Sequence, residues 1–305
     1  MSILLAVAVL AAGLAVWSRL APEAWYRAGI QLERRLSGLR SEAAVVEGLR
    51  IPYCTGGQGE PLLLIHGFAG DRDNFTRIAR YLTPHYRLII PDLPGFGEAA
   101  RAPEAGYMMT DQVRRLHGLL TQLGIGHVHV GGNSMGGFLA AQYAATHPEL
   151  VRSVWLLDPA GTLKAYDQPL IHHYEATGEM PLLLQDPRQF DTLIDATTTV
   201  RPWLPGFARR ALGLRAARDY TLHCELMRQM RISPLLDEQF RAIPAPALVV
   251  WGEQDRVLNP EAAGPTAALF RDASIRIMPG IGHLPMLEDP RSTAADYLAW
   301  RQTKS

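Results

Sequence analysis

A serine with glycines two residues away on either side, Gly132-Asn133-Ser134-Met135-Gly136, follows a β-branched run at 127–131 and opens a helical pattern. That spacing suits a nucleophile. A serine at a tight strand-to-helix turn projects its hydroxyl, and only glycine at the flanking positions avoids the neighbouring strand and helix. The helix N-terminus and the Met135 amide then point toward a developing oxyanion. A serine hydroxyl also needs a base within hydrogen-bond reach. Of ten histidines, only His283, in Gly280-Ile281-Gly282-His283, lies beyond the last strand candidate. An acid must fix its tautomer, and Asp255, after the run 247–251, is the expected partner. Asp158, at the end of the preceding strand, competes for that role. The second oxyanion donor is expected at Phe68, in the turn His66-Gly67-Phe68, paired with Met135. His127 and His129 share a strand face but lack a third metal ligand, so no metal or cofactor is expected.

These residues need a frame. From about residue 44 short β-branched runs alternate with helical patterns, which predicts an α/β fold with a mostly parallel sheet. Strands are expected at 44–53, Leu62–His66, Arg87–Pro91, His127–Gly131, Val154–Asp158, Ala247–Trp251 and Ser274–Met278. Helices are expected at Asp111–Leu123, Gly137–Thr146, Pro260–Phe270 and Ser292–Arg301. The rhythm breaks over 161–243, which reads as a helical cap, or lid, inserted into a core of 44–160 and 244–305. Met180-Pro181-Leu182-Leu183-Leu184 and Trp203-Leu204-Pro205-Gly206-Phe207 suit either an acyl tunnel or the cap's own packing.

Ile3 to Trp17 is an unbroken run of fifteen non-polar residues. Extended to Ala21, with Arg19 reaching toward headgroups, residues 1–21 make a helix just long enough to span a bilayer. A cleaved signal peptide is the rival reading, weakened by the lack of Lys or Arg before the run. Residues 22–40 read as an amphipathic juxtamembrane helix, with Trp25, Ala28, Leu32, Leu36 and Leu39 on one stripe and Arg27, Arg34, Arg35 and Arg40 off it. Five Arg against two Glu over 19–40 favour a cytoplasmic catalytic side. Ala8/Ala12 and Ala11/Ala15 are small-residue pairs that would let two such helices pack as a homodimer.

The chain has 305 residues, with 30 Lys+Arg balanced by 30 Asp+Glu. That balance excludes electrostatically driven nucleic-acid binding, and the length excludes a disulfide-stapled miniature. Cys54 and Cys224 read as free thiols.

His66-Gly67-Phe68, Pro91-Asp92-Leu93-Pro94-Gly95-Phe96-Gly97, Gly132–Gly137 and Gly282-His283 together resemble the α/β-hydrolase family over residues 44–301. With Asp158-Pro159-Ala160-Gly161 and Trp251–Leu258 the chain looks like membrane-anchored monoacylglycerol lipases and bacterial inner-membrane phospholipase A enzymes. The resemblance implies a triad of Ser134, Asp255 and His283, in the chain order known for that fold, and Phe68 and Met135 at the oxyanion hole. It implies a serine lipase or esterase acting on a lipid ester and releasing a fatty acid, at a bacterial inner membrane. The bacterial phospholipases suggest a periplasmic catalytic side, against the charge bias. Alternatives are a C–C bond hydrolase of aromatic ring-cleavage products, a general short-chain esterase, and a non-catalytic binder of an apolar ligand.

Overall fold

The computed structural model describes residues 20–304. The apolar run at the N-terminus lies outside them, and among the described residues no helix is long and apolar enough to cross a membrane. Eight strands form one sheet in the order β1-β2-β4-β3-β5-β6-β7-β8. They are β1 Arg40–Val46, β2 Leu49–Gly56, β3 Glu60–Ile65, β4 Tyr86–Pro91, β5 Val128–Asn133, β6 Val151–Leu157, β7 Ala247–Gly252 and β8 Ala273–Met278. β2 runs antiparallel to both β1 and β4, and every other pairing is parallel.

The longer helices are α1 Pro22–Leu36, α2 Thr76–Leu82, α3 Met109–Gln122, α4 Met135–Thr146, α5 Pro169–Thr177, α6 Phe190–Thr197, α7 Gly206–Arg218, α8 Tyr220–Ile232 and α9 Pro290–Gln302. Alternation along the strands assigns the faces. Leu63, Ile65, Ile89, Val130, Leu156 and Val249 join a core with α3 and α4. Leu62, Leu64, Leu88, Ile90, Leu157 and Val250 join a second core with α2 and α9. Strands buried on both faces must be apolar throughout, which is why the central ones stand out in the sequence. Helices α5 to α8 lie between β6 and β7 and contribute one side of the site.

Three expectations change. The strand read at 44–53 is a hairpin of β1 and β2, with Glu47 (φ 53°) and Gly48 (φ 76°) in a two-residue turn between the paired Val46 and Leu49. Such turns usually announce themselves with Asn-Gly or Asp-Gly, and Glu-Gly hides this one. The helix expected over Pro260–Phe270 is a 3₁₀ turn, Pro260–Ala262, followed by Ala263–Ala267. Gly264-Pro265 weakens any longer helix there.

The helix expected over 22–40 ends at Leu36, where Ser37 and left-handed Gly38 (φ 74°) turn the chain, so Leu39 and Arg40 enter the sheet region. α1 packs on α7, with Trp25 and Phe207 ring centroids 6.1 Å apart. Arg34 does not face solvent. It is buried, and its Nε and Nη2 donate to the two oxygens of Asp73 at 2.7 and 2.6 Å. A bidentate carboxylate explains how a guanidinium can be buried there.

Candidate active site

Ser134 caps α4 with φ 56° and ψ −120°, a backbone conformation that side-chain-bearing residues rarely adopt. The glycines around it make this turn possible. A Cβ on Gly136 would overlap the carbonyl oxygen of Ile65, and one on Gly132 would overlap that of Gly136. A Cβ on Gly137 would stand 2.7 Å from Pro159 Cβ. α4 therefore starts directly beneath the ends of β3 and β5, and the serine side chain is left at the sheet's C-terminal edge, where ligands of open α/β sheets bind.

Asp255 and His283 meet there. His283 Nδ1 lies 2.8 Å from Asp255 Oδ2, and both residues are buried. Asp255 is saturated with donors. Oδ1 accepts from the Val257 and Leu258 amides at 2.8 and 3.1 Å, and Oδ2 also accepts from Trp251 Nε1 at 3.1 Å. Four donors around one carboxylate give it a single orientation.

Asp158 joins the cluster, since ligand atoms of Asp158, Asp255 and His283 all lie within 4.8 Å of one another. Its Oδ1 accepts from the Gly252 amide at 2.8 Å. Full burial, then the charge of Asp255, raises its carboxyl well above the usual range. The residue bonded to the imidazole is Asp255, and Asp158 stands beside that pair.

Ser134 and His283 line the same cavity, of about 620 Å³. No hydrogen bond joins the serine hydroxyl to the imidazole in this arrangement; such bonds often tighten only when substrate binds. Among the described residues, neither the Phe68 nor the Met135 amide donates to a protein acceptor. Met135 is the first residue of α4, so its amide has no partner within the helix. The unengaged Met135 amide follows the serine, and the unengaged Phe68 amide belongs to a turn whose Gly67 lies close against Ser134. That placement suits a developing oxyanion.

The turn carrying Phe68 is braced. His66 is fully buried, with Nδ1 2.8 Å from the Gly67 carbonyl and Nε2 accepting from the Leu93 amide at 3.0 Å. Those partners require one neutral tautomer, with the proton on Nδ1. Burial pushes its pKa down to about 4. The unfolded chain takes up this proton near pH 6.5 and the folded one only near pH 4, so the stabilisation is present above 6.5 and lost as pH falls toward 4. In urea titrations, the stability advantage of wild type over His66→Gln should narrow by about 3 kcal/mol across that window. A constant difference would contradict the lowering of the imidazole pKa by burial. Next in the chain, Asp71 pairs with Arg215 of α7, Asp73 with Arg34 of α1, and Arg72 with Asp92, so α1 and α7 are both fastened to this loop.

The cavity wall is largely apolar. Leu182, Phe190, Ile194, Leu204 and Phe207 line it from the helical excursion, and Ile30, Leu32 and Leu36 from α1. Of the two apolar stretches singled out in the sequence, Leu182, Trp203, Leu204, Pro205 and Phe207 reach the cavity. Met180 belongs to the main core, and Leu184 packs with Phe190 and Ile194. His129 is buried against Ser153 and Glu60, at 2.7 and 2.8 Å, while His127 is exposed, so the two do not converge on a metal site. Cys54 and Cys224 are unpaired. Asn133 escaped the sequence reading. Its Nδ2 donates to the carbonyls of Leu157 and His283 at 3.1 and 2.9 Å, tying the histidine loop to the serine turn. Only its position between Gly132 and Ser134 hinted at it.

Known proteins resemble this chain over most of its length. A lipase of Psychrobacter immobilis is 37% identical over 89% of this chain and 87% of its own. The monoacylglycerol lipase ABHD6 of Mus musculus is 27% identical over 87% of this chain and 84% of its own. The crystal structure of a membrane phospholipase A, described as a bacterial virulence factor, superposes with a TM-score of 0.90 at 36% identity, covering 99% of this chain and 98% of that one. The sequence profile of the α/β-hydrolase fold matches residues 60–290, from the first residue of β3 to the first residue of α9. With its serine turn, acid and histidine at the ends of three strands of that sheet, the chain belongs to the α/β-hydrolase family.

Proposed function

We propose that this protein is a serine carboxylic-ester hydrolase that cleaves fatty-acyl esters of glycerolipids (monoacylglycerol, lysophospholipid or phospholipid) through an acyl-enzyme on Ser134. The observation that carries this reading is the serine turn with two unengaged amides opening into an apolar cavity of about 620 Å³. Such a wall rewards an acyl chain by about 0.8 kcal/mol per buried CH₂. The lipase, monoacylglycerol lipase and phospholipase relatives support the same substrate class.

In the proposed cycle His283 takes the Ser134 proton as Oγ attacks the ester carbonyl. The Phe68 and Met135 amides hold the tetrahedral oxyanion. Asp255 keeps the imidazole in the required tautomer and stabilises it when charged. His283 then gives its proton to the departing alcohol, leaving the acyl group on Oγ. Water, losing a proton to His283, attacks this ester; collapse frees the fatty acid and the proton returns to Oγ.

The membrane part of the proposal rests on the apolar run Ile3–Trp17 and on the cavity mouth. Leu32, Leu36 and Trp203 line the cavity yet are 58, 72 and 77% exposed, an apolar rim suited to a lipid surface. Residues 1–21 act as the anchor, and pairing through their small residues makes a homodimer; sedimentation only as a monomer at every concentration would contradict that pairing.

The experiment is a panel of p-nitrophenyl esters of rising chain length, monoacylglycerol, lysophospholipid and diacyl phospholipid, given to the full chain in detergent. Fatty-acid release from glycerolipids is expected, and its ranking names the head group. Activity confined to the shortest esters would contradict the lipid assignment.

A further inference from the structure

Glu288 lies five residues beyond His283, and its carboxylate gathers four backbone amides from two separate segments. Oε2 accepts from Thr199 at 2.7 Å and Val200 at 2.8 Å, in the stretch leaving α6. Both oxygens accept from Gly282 at 3.1 Å, and Oε1 accepts from Leu284 at 3.2 Å. The last two amides bracket His283. The amide of His283 itself donates to the carbonyl of Thr197, the final residue of α6, at 2.9 Å. The junction is too close for any side chain: a Cβ on Gly282 would stand 2.9 Å from the Thr199 nitrogen. A second tie reaches the acid. Arg256, next to Asp255, donates to the carbonyls of Asp195 and Thr198 at 2.6 and 2.9 Å. α6 is therefore bonded to the loops of both members of the Asp255–His283 pair.

α6 is also a wall of the cavity, through Phe190, Leu193, Ile194 and Thr197. A chain pressed against that wall meets a helix whose end carries the histidine loop. A carboxylate is an acceptor only, so it satisfies four amides where a neutral amide side chain would turn a donor toward some of them. Charge-assisted bonds of this kind are about twice as strong as neutral ones.

We propose that Glu288 is a positioning residue that couples α6 to His283, so that an acyl chain lodged against α6 holds the base in its reactive place. The proposal rests on the serine-esterase reading and adds to it that chain length is read in kcat as well as in KM.

The test measures kcat and KM of wild type and Glu288→Gln on p-nitrophenyl esters from acetate to decanoate. Wild-type kcat should rise with chain length. In Glu288→Gln the decanoate kcat should fall about 10- to 100-fold while the acetate value stays within about three-fold, a size typical of a misplaced reacting group. KM should keep its fall with chain length, because the wall is unchanged. A flat wild-type kcat, an unchanged variant, or an equal loss on every ester overturns the proposal and leaves the esterase reading standing. Absence of Ser134-dependent hydrolysis in wild type overturns the esterase reading instead.

Should Glu288→Gln fail to fold, hydrogen exchange on wild type decides the matter. A decylphosphonate on Ser134 should slow exchange at Thr199, Val200, Gly282 and Leu284 together, and a methylphosphonate should not. Slowing confined to residues 190–200 overturns the proposal.

Discussion

Ser134→Ala is expected to lower kcat on glycerolipid and p-nitrophenyl esters by about 10⁶-fold, the scale seen when a triad nucleophile is removed. The loss should fall on chemistry alone. The serine hydroxyl makes no hydrogen bond within the described residues, so its removal strands no buried partner. The turn itself is set by Gly132, Gly136 and Gly137, which the substitution leaves in place. Initial rates alongside thermal unfolding separate the two effects. Lost turnover at an unchanged midpoint is the expected result, and turnover retained in purified protein would remove Ser134 from the chemistry.

The second large effect distinguishes two neighbouring carboxyl groups. Asp255→Asn should reduce kcat/KM by about 10⁴-fold, because the asparagine NH₂ pointed at His283 forces the wrong tautomer. If the side chain flips to spare the imidazole, the NH₂ meets the Val257 and Leu258 amides instead. Asp158→Asn should cost less than about 10-fold. Asparagine keeps an oxygen for the Gly252 amide, and Asp158 makes no bond to the imidazole. Both measurements belong on pH profiles from 5 to 9, since burial and the Asp255 charge both raise the Asp158 carboxyl above its usual range. Reversed magnitudes would make Asp158 the acid that serves the histidine.

That pair marks how far sequence reading reaches. Ser134 was legible because the turn demands glycine at fixed offsets, and steric demands leave traces in sequence. His283 was legible because it stands past the last strand beside two glycines. Asp158 ends one β-rich run and Asp255 follows the next, so the sequence favours Asp255 while leaving Asp158 as a competitor. The structure adds the reason: the imidazole bonds to Asp255, which three further donors hold in place.

Other features leave no local trace. Glu288 acts on amides as far as 89 positions away, and an amide carries no residue identity to read. Arg34 sits off the apolar stripe of α1 yet is buried, because its partner Asp73 lies 39 positions on and tertiary contact overrides the helical pattern. The hairpin at Glu47-Gly48 was hidden for a local reason, a turn built with an uncommon residue. The parallel sheet was legible because doubly buried strands must be continuous apolar runs.

The most direct test traps the covalent intermediate. Wild type mixed with a monoacylglycerol is quenched in acid within its first turnovers, digested, and the peptides weighed. The expected result is a mass increase equal to the substrate's acyl group on the peptide containing Ser134, absent from Ser134→Ala. Fatty acid released with no acylated peptide at any quench time, or with the acyl group on another residue, would contradict a mechanism that runs through Ser134.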